Sequence, residues 1–86
     1  MSSTKVRATS AQIGGARQFL RISQVDFAKV AGVSETTVNM FEAGTRSPHE
    51  STRRKLQEAL ERRGIVFTNG DKPGFYFDKD KVIIPT

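Results

Sequence analysis

Cysteine is absent from these 86 residues, so neither a disulfide framework nor a thiolate metal site can form. Histidine occurs once, at His49, beside Glu50 in what reads as the first turn of a helix. With no second ligand spaced to join it, His49 is expected to be a surface residue, not a metal ligand or a base. No apolar run nears the roughly 18–20 residues that span a bilayer, and the opening MSSTKVRATS lacks the apolar centre of a secretory signal. Glycine-rich phosphate loops, activated nucleophiles and partnered carboxylate pairs are also missing. The expectation is a cytoplasmic protein, not an enzyme, with no cofactor and no membrane contact. A chain this short supports a single core.

What is present in excess is positive charge. Fourteen Lys and Arg oppose nine Asp and Glu, a formal +5. That excess on a small domain favours a polyanionic partner, through long-range attraction and counterion release. Residues 1–9 are small, polar and basic, including Lys5 and Arg7. They read either as a frayed terminal tail or as a basic arm.

Helical periodicity then takes over. Ser10 is suited to cap a first helix with Ile13, Ala16 and Leu20 on its inner stripe. Gly14 and Gly15 weaken it, although Gly15 would admit a close neighbouring helix. Ser23-Gln24-Val25-Asp26 resembles a capping box, opening a short helix with Phe27, Ala28 and Ala31 inward. Gly32 suits a left-handed C-terminal position, Val33 plugs the turn, and Ser34 caps a third helix over about Glu35 to Ala43. Its Val38 and Phe41 share one face, and Gly44 ends it. Two short helices joined by a glycine-containing turn of about three residues form the pattern of a helix-turn-helix. Ser47-Pro48-His49-Glu50 predicts an N-cap, a proline at the first helical position and a capping-box acid. The fourth helix should run to about Arg63, burying Leu56, Ala59 and Leu60, with Gly64 as its stop.

Past Gly64 the period changes to short aromatic and β-branched segments. Strands are predicted at 65–68, 74–78 and 81–84, forming a small antiparallel meander or hairpin. Such a unit is marginal alone in water, so it must pack on the helices or on a second copy of the chain. The expected organisation is a basic tail at 1–9, a four-helix domain at 10–64 and a β segment at 65–86.

In Ser23-Gln24, Phe27-Ala28, Ala31-Gly32-Val33-Ser34, Val38, Phe41-Glu42 and Gly44, and then in SPHESTRRKLQEALERRGIVF, the chain resembles the Cro and phage-repressor helix-turn-helix family. The resemblance covers residues 10 to about 67. It implies a mainly α, lambda-repressor-like fold in which helix 35–43 enters the major groove of double-stranded DNA while the preceding helix crosses the backbone. It assigns base contacts to Glu35, Thr36, Thr37, Asn39 and Met40, and phosphate contacts to Gln24, Ser34 and Arg46. Arg17, Arg21 and Arg53 are added to the phosphate set because helix 35–43 has no Arg or Lys of its own. Arg17 and Glu42 match a charged pair tying the first helix to the end of the reader. Arg21 stands where relatives often carry glycine. Glu35 has two readings, an acceptor for cytosine N4 and an acid favoured by the helix dipole.

One reader helix covers few base pairs, so the resemblance implies a homodimer on a palindromic operator and a role in transcription regulation. The β segment departs from the fifth helix common in phage repressors. Phe67, Phe75, Tyr76, Phe77, Val82 and Ile84 are therefore its expected dimerisation residues. The same helices occur in antitoxins and in bridging coactivators, where such a segment would bind a protein partner instead.

Overall fold

A computed structural model of the chain describes residues 6–44 and 49–83. Four helices, α1 (Ser10–Phe19), α2 (Gln24–Ala31), α3 (Glu35–Ala43) and α4 (Glu50–Glu61), precede an antiparallel hairpin of β1 (Arg63–Thr68) and β2 (Gly74–Val82). Among the described residues no helix is long and apolar enough to cross a membrane.

Local chemistry explains most of the helix ends. Thr9, not Ser10, caps α1: its hydroxyl accepts from the Gln12 amide N–H while the Gln12 side chain accepts from Thr9 N–H. The reciprocal bond decides the matter, because the residue three after Ser10 is Ile13, which has nothing to return. Ser23 and Ser34 cap α2 and α3 through the N–H groups of Asp26 and Thr37, and left-handed Gly32 and Gly44 close them. The N-cap of α4 is His49, without a side-chain cap bond, and Glu50 is its first helical residue. Ser47 and Pro48, expected to start this helix, therefore precede it and lie outside the described residues. The helix stops at Glu61, two residues before the predicted end, because β1 begins at Arg63.

Ile13, Ala16, Phe27, Ala28, Ala31, Val38, Phe41, Leu56, Ala59 and Leu60 form the core, and Ala8, Ile65 and Phe67 complete it. The hairpin thus closes its own domain, with β1 packed on α4 and β2 on α1. Gln12 locks it there: its buried Nε2 donates to Thr68 O at 2.8 Å and to Gly74 O at 2.9 Å, one carbonyl from each strand. Gly15 does make room for a close neighbour, but the neighbour is a ring of the hairpin: a Cβ there would lie 3.3 Å from Phe75 Cε2.

Residues 6–9, predicted within the tail, are fastened to α4. Gln57 accepts from Ala8 N–H at 3.0 Å and donates to Val6 O at 2.9 Å, while Arg7 donates to Glu50 at 2.7 Å. Hydrogen bonds from Arg53, then Arg7, pull the Glu50 carboxyl down from 4.5 to about 2. Lys5 lies outside the described residues.

The predicted strand 74–78 and the start of the one predicted at 81–84 belong to a single strand, which ends at Val82; residue 84 lies outside the described residues. Phe75, Tyr76 and Phe77 pair with Phe67, Val66 and Ile65, after which the register jumps and Val82 pairs with Arg63. A two-residue reversal at Lys79-Asp80 would need positive φ, and among the described residues Arg21 alone has it without being glycine. Residues 78–81 instead bulge opposite Gly64.

Candidate nucleic-acid interface

α3 is built so that one side is consumed by the core and the other is left open. Val38 and Phe41 are buried, whereas Glu35, Thr36 and Asn39 are exposed on the opposite side. Thr37 and Met40, also predicted to touch bases, sit half-buried at the margins of that face. Thr37 is partly engaged in the cap, its hydroxyl 2.8 Å from that of Ser34 and its N–H donated to the same oxygen. The hairpin packs on α1 and α4, so the polar face of α3 is not covered by the aromatic segment.

The angle of α3 is held by a polar knot at its last turn. Arg17 Nε and Nη2 donate to the two carboxylate oxygens of Glu42 at 2.7 and 3.0 Å, and Nη1 donates to Ile22 O at 2.7 Å. Gln24 Nε2 adds a third bond to Glu42 at 3.0 Å. The two charged side chains are only 13% and 11% exposed. One carboxylate on α3 thereby gathers the end of α1, the α1–α2 loop and the start of α2. Arg17, expected both in this ion pair and at a phosphate, has its guanidinium turned inward onto Glu42 and Ile22 O. Gln24 is likewise drawn inward through its amide, and at the start of α2 the Ser23 cap takes the Asp26 N–H, leaving those of Gln24 and Val25, among the described residues, as the unbonded helix-terminal donors.

Arg53, also expected at a phosphate, is turned inward as well. At 9% exposure it sits against the body of the domain, donating to Glu50 and Gln57. It follows the same helical spacing as Leu56, Gln57 and Leu60, a sign that it faces inward. Arg46 lies outside the described residues. Of the phosphate set, Arg21 and Ser34 are exposed beside the open face-bearing helices.

Arg21 adopts φ +60°, the left-handed region that favours glycine. A residue other than glycine held there costs about 1 kcal/mol. Arg21→Gly is therefore expected to raise the unfolding free energy by roughly 0.5 kcal/mol, once the greater freedom of unfolded glycine is deducted. Urea titration reads this directly, and a loss of stability would show that the turn gains more from the arginine side chain than it loses in strain.

The dimerisation set divides. Phe67 is buried, and Phe75 is half-buried between Phe19 and Phe67, with ring centroids 5.8 and 6.4 Å away. Both are committed to the fold of their own chain. Tyr76, Phe77 and Val82 are exposed, and Ile84 lies outside the described residues. Sequence reasoning missed Phe19, which is 57% exposed. Its signal was available, since it falls off the 13, 16, 20 stripe.

A sequence model of the helix-turn-helix family matches residues 16–64. That span contains α2, the Gly32 turn, α3 and all of α4, and begins one residue before Arg17. No curated protein matches the chain.

Proposed function

Since the chain belongs to the Cro- and repressor-like helix-turn-helix family of DNA-binding transcription regulators, we propose that it is a sequence-specific regulator acting in the cytoplasm as a homodimer on a palindromic operator, with α3 lying in the major groove. The observation that carries this is the open face of α3: Glu35, Thr36 and Asn39 project opposite the buried pair Val38 and Phe41. Each has a chemical counterpart on a base edge. The Asn39 amide matches the donor and acceptor of adenine, Glu35 accepts from cytosine N4, and the Thr36 methyl or Met40 meets a thymine methyl.

Affinity has a different origin. α3 carries no Arg or Lys, so attraction to phosphates comes from the overall +5 charge and from groups beside the reader. Among the described residues these are Arg21, Ser34 and the N–H groups opening α2, and the family resemblance adds Arg46, two residues after Gly44 in sequence. Glu35 works against misplaced phosphates and so favours one register.

Asn39→Ala and Thr36→Ala are each expected to cost about 1–3 kcal/mol on the cognate site and to relax preference at one base position. The site itself is to be found by footprinting the DNA flanking the chain's own coding region. Arg46→Ala should instead weaken binding to every sequence and reduce the salt slope. Equal losses on cognate and random DNA for the Asn39 and Thr36 variants would sink the assignment of α3 as reader.

A further inference from the structure

We propose that the surface around the β2 bulge is the seat of a second copy of this chain, docked about a two-fold axis passing between Lys79 and Asp80. The proposal rests on the dimeric reading above and adds where the partner sits and what selects it. A recess of about 300 Å³ opens between the end of α1 and the hairpin, lined by Leu20, Ile22, Arg63, Phe77 and Val82. Beside it Phe19 stacks obliquely on Phe77, with centroids 6.3 Å apart. Phe19, Phe77 and Val82 are exposed, as is Ile83 at 70%. Contiguous apolar exposure of this kind marks an interaction surface on a small domain.

Charge identifies the occupant. Phe77 and Val82 stand at the two ends of the bulge, where one residue of β1, Gly64, faces the four residues Asp78 to Lys81. The bulge therefore bows away from its own hairpin. Among the described residues Lys79, Asp80 and Lys81 make no ion pair, and Asp78 only accepts the N–H of Asp80, at 3.0 Å. From 77 to 82 the segment runs apolar, acid, base, acid, base, apolar. Set antiparallel to itself, it brings Asp78 to the Lys81 position, Lys79 to the Asp80 position and Phe77 to the Val82 position of the other copy. Every pairing is complementary. An isologous two-fold contact requires a surface that complements itself in this way, and a register shifted by one residue would set like charges opposite one another. The apolar recesses then meet on either side of the axis.

Sedimentation equilibrium of the full chain tests this at low salt, with folding checked by circular dichroism. The wild type should dimerise, and Phe19→Glu should weaken the dimer by on the order of a hundredfold. Lys79→Asp or Asp80→Lys alone places like charges together twice in the dimer and should weaken it by about tenfold. The double variant Lys79→Asp/Asp80→Lys restores opposition and should return to within about threefold of wild type. A monomeric wild type, or a double variant no better than the singles, would overturn the proposal. Half-site binding keeps the two claims apart: a monomer that still depends on Asn39 for base preference refutes this interface but not the reader, and a charge-swappable dimer without base preference does the reverse.

Discussion

Gly64→Ala is expected to lower the unfolding free energy by about 2–4 kcal/mol, among the largest single-site losses in the chain outside its central apolar residues. Two costs add. The residue sits at φ +94°, where a side chain is strained by about 1 kcal/mol or more. Its Cβ would also lie 2.7 Å from Phe77 Cε1 and 2.9 Å from both Asp78 O and Val82 Cγ2. The ring and the methyl have some freedom, but Asp78 O is backbone, so relief means opening the bulge. Gly70→Ala supplies the control. It has nearly the same φ, +89°, with nothing within 4 Å of the added carbon, so it isolates the backbone term at roughly 1 kcal/mol. Urea titrations of the two variants give the difference. Equal losses would mean that the bulge yields to a methyl group, and Phe77 and Val82 would then not be rigidly presented to a partner.

Gly64 also illustrates where sequence reasoning succeeds and where it stops. The helices of residues 10–61 were legible because their determinants are local. Ser23, Gly32, Ser34 and Gly44 act within one turn of themselves, and the core faces follow the helical period. Gly64 was visible as a break but not as the residue around which a strand bulges, since that depends on which residues of a second strand lie opposite. The same holds for Gln12 and Gln57. Their partners, Thr68 and Gly74 for one and Val6 and Ala8 for the other, are about fifty or more residues away in sequence. No periodicity reports such a pairing. Arg53 is a different case, because its place on the Leu56 and Leu60 stripe was readable and charge alone suggested solvent. An arginine on an apolar stripe turns inward when acceptors stand at the rim, and Glu50 and Gln57 supply them. At the interface, the exposed residues of α3 followed from the positions of Val38 and Phe41. The inward turn of Arg17 and Gln24 followed from a resemblance for the first and from nothing in the sequence for the second.

That inward knot leads to the other large effect. Arg17→Ala should cost about 2–4 kcal/mol of stability, because it strips a mostly buried Glu42 carboxylate of both guanidinium bonds and leaves Ile22 O without its donor. Glu42→Ala should cost a similar amount by orphaning Arg17 and the Gln24 amide. The double variant should lose much less than the sum, since removing the second partner also removes an uncompensated charge. Replacing the pair with apolar side chains, as in Arg17→Met/Glu42→Leu, should recover much of the stability yet not the DNA binding. The reason is geometric: Glu42 joins the last turn of α3 to the loop before α2, and apolar packing has no direction with which to set that angle. Cognate binding should fall more than random-DNA binding in all of these variants, although neither side chain is placed to touch a base. A double-mutant cycle in urea, run beside binding titrations on both DNAs, reads stability and specificity separately. A coupling energy under about 0.5 kcal/mol would reduce the pair to the worth of an exposed salt bridge. A recovered apolar variant that still discriminates cognate DNA would show that the helical core alone holds the reader in place.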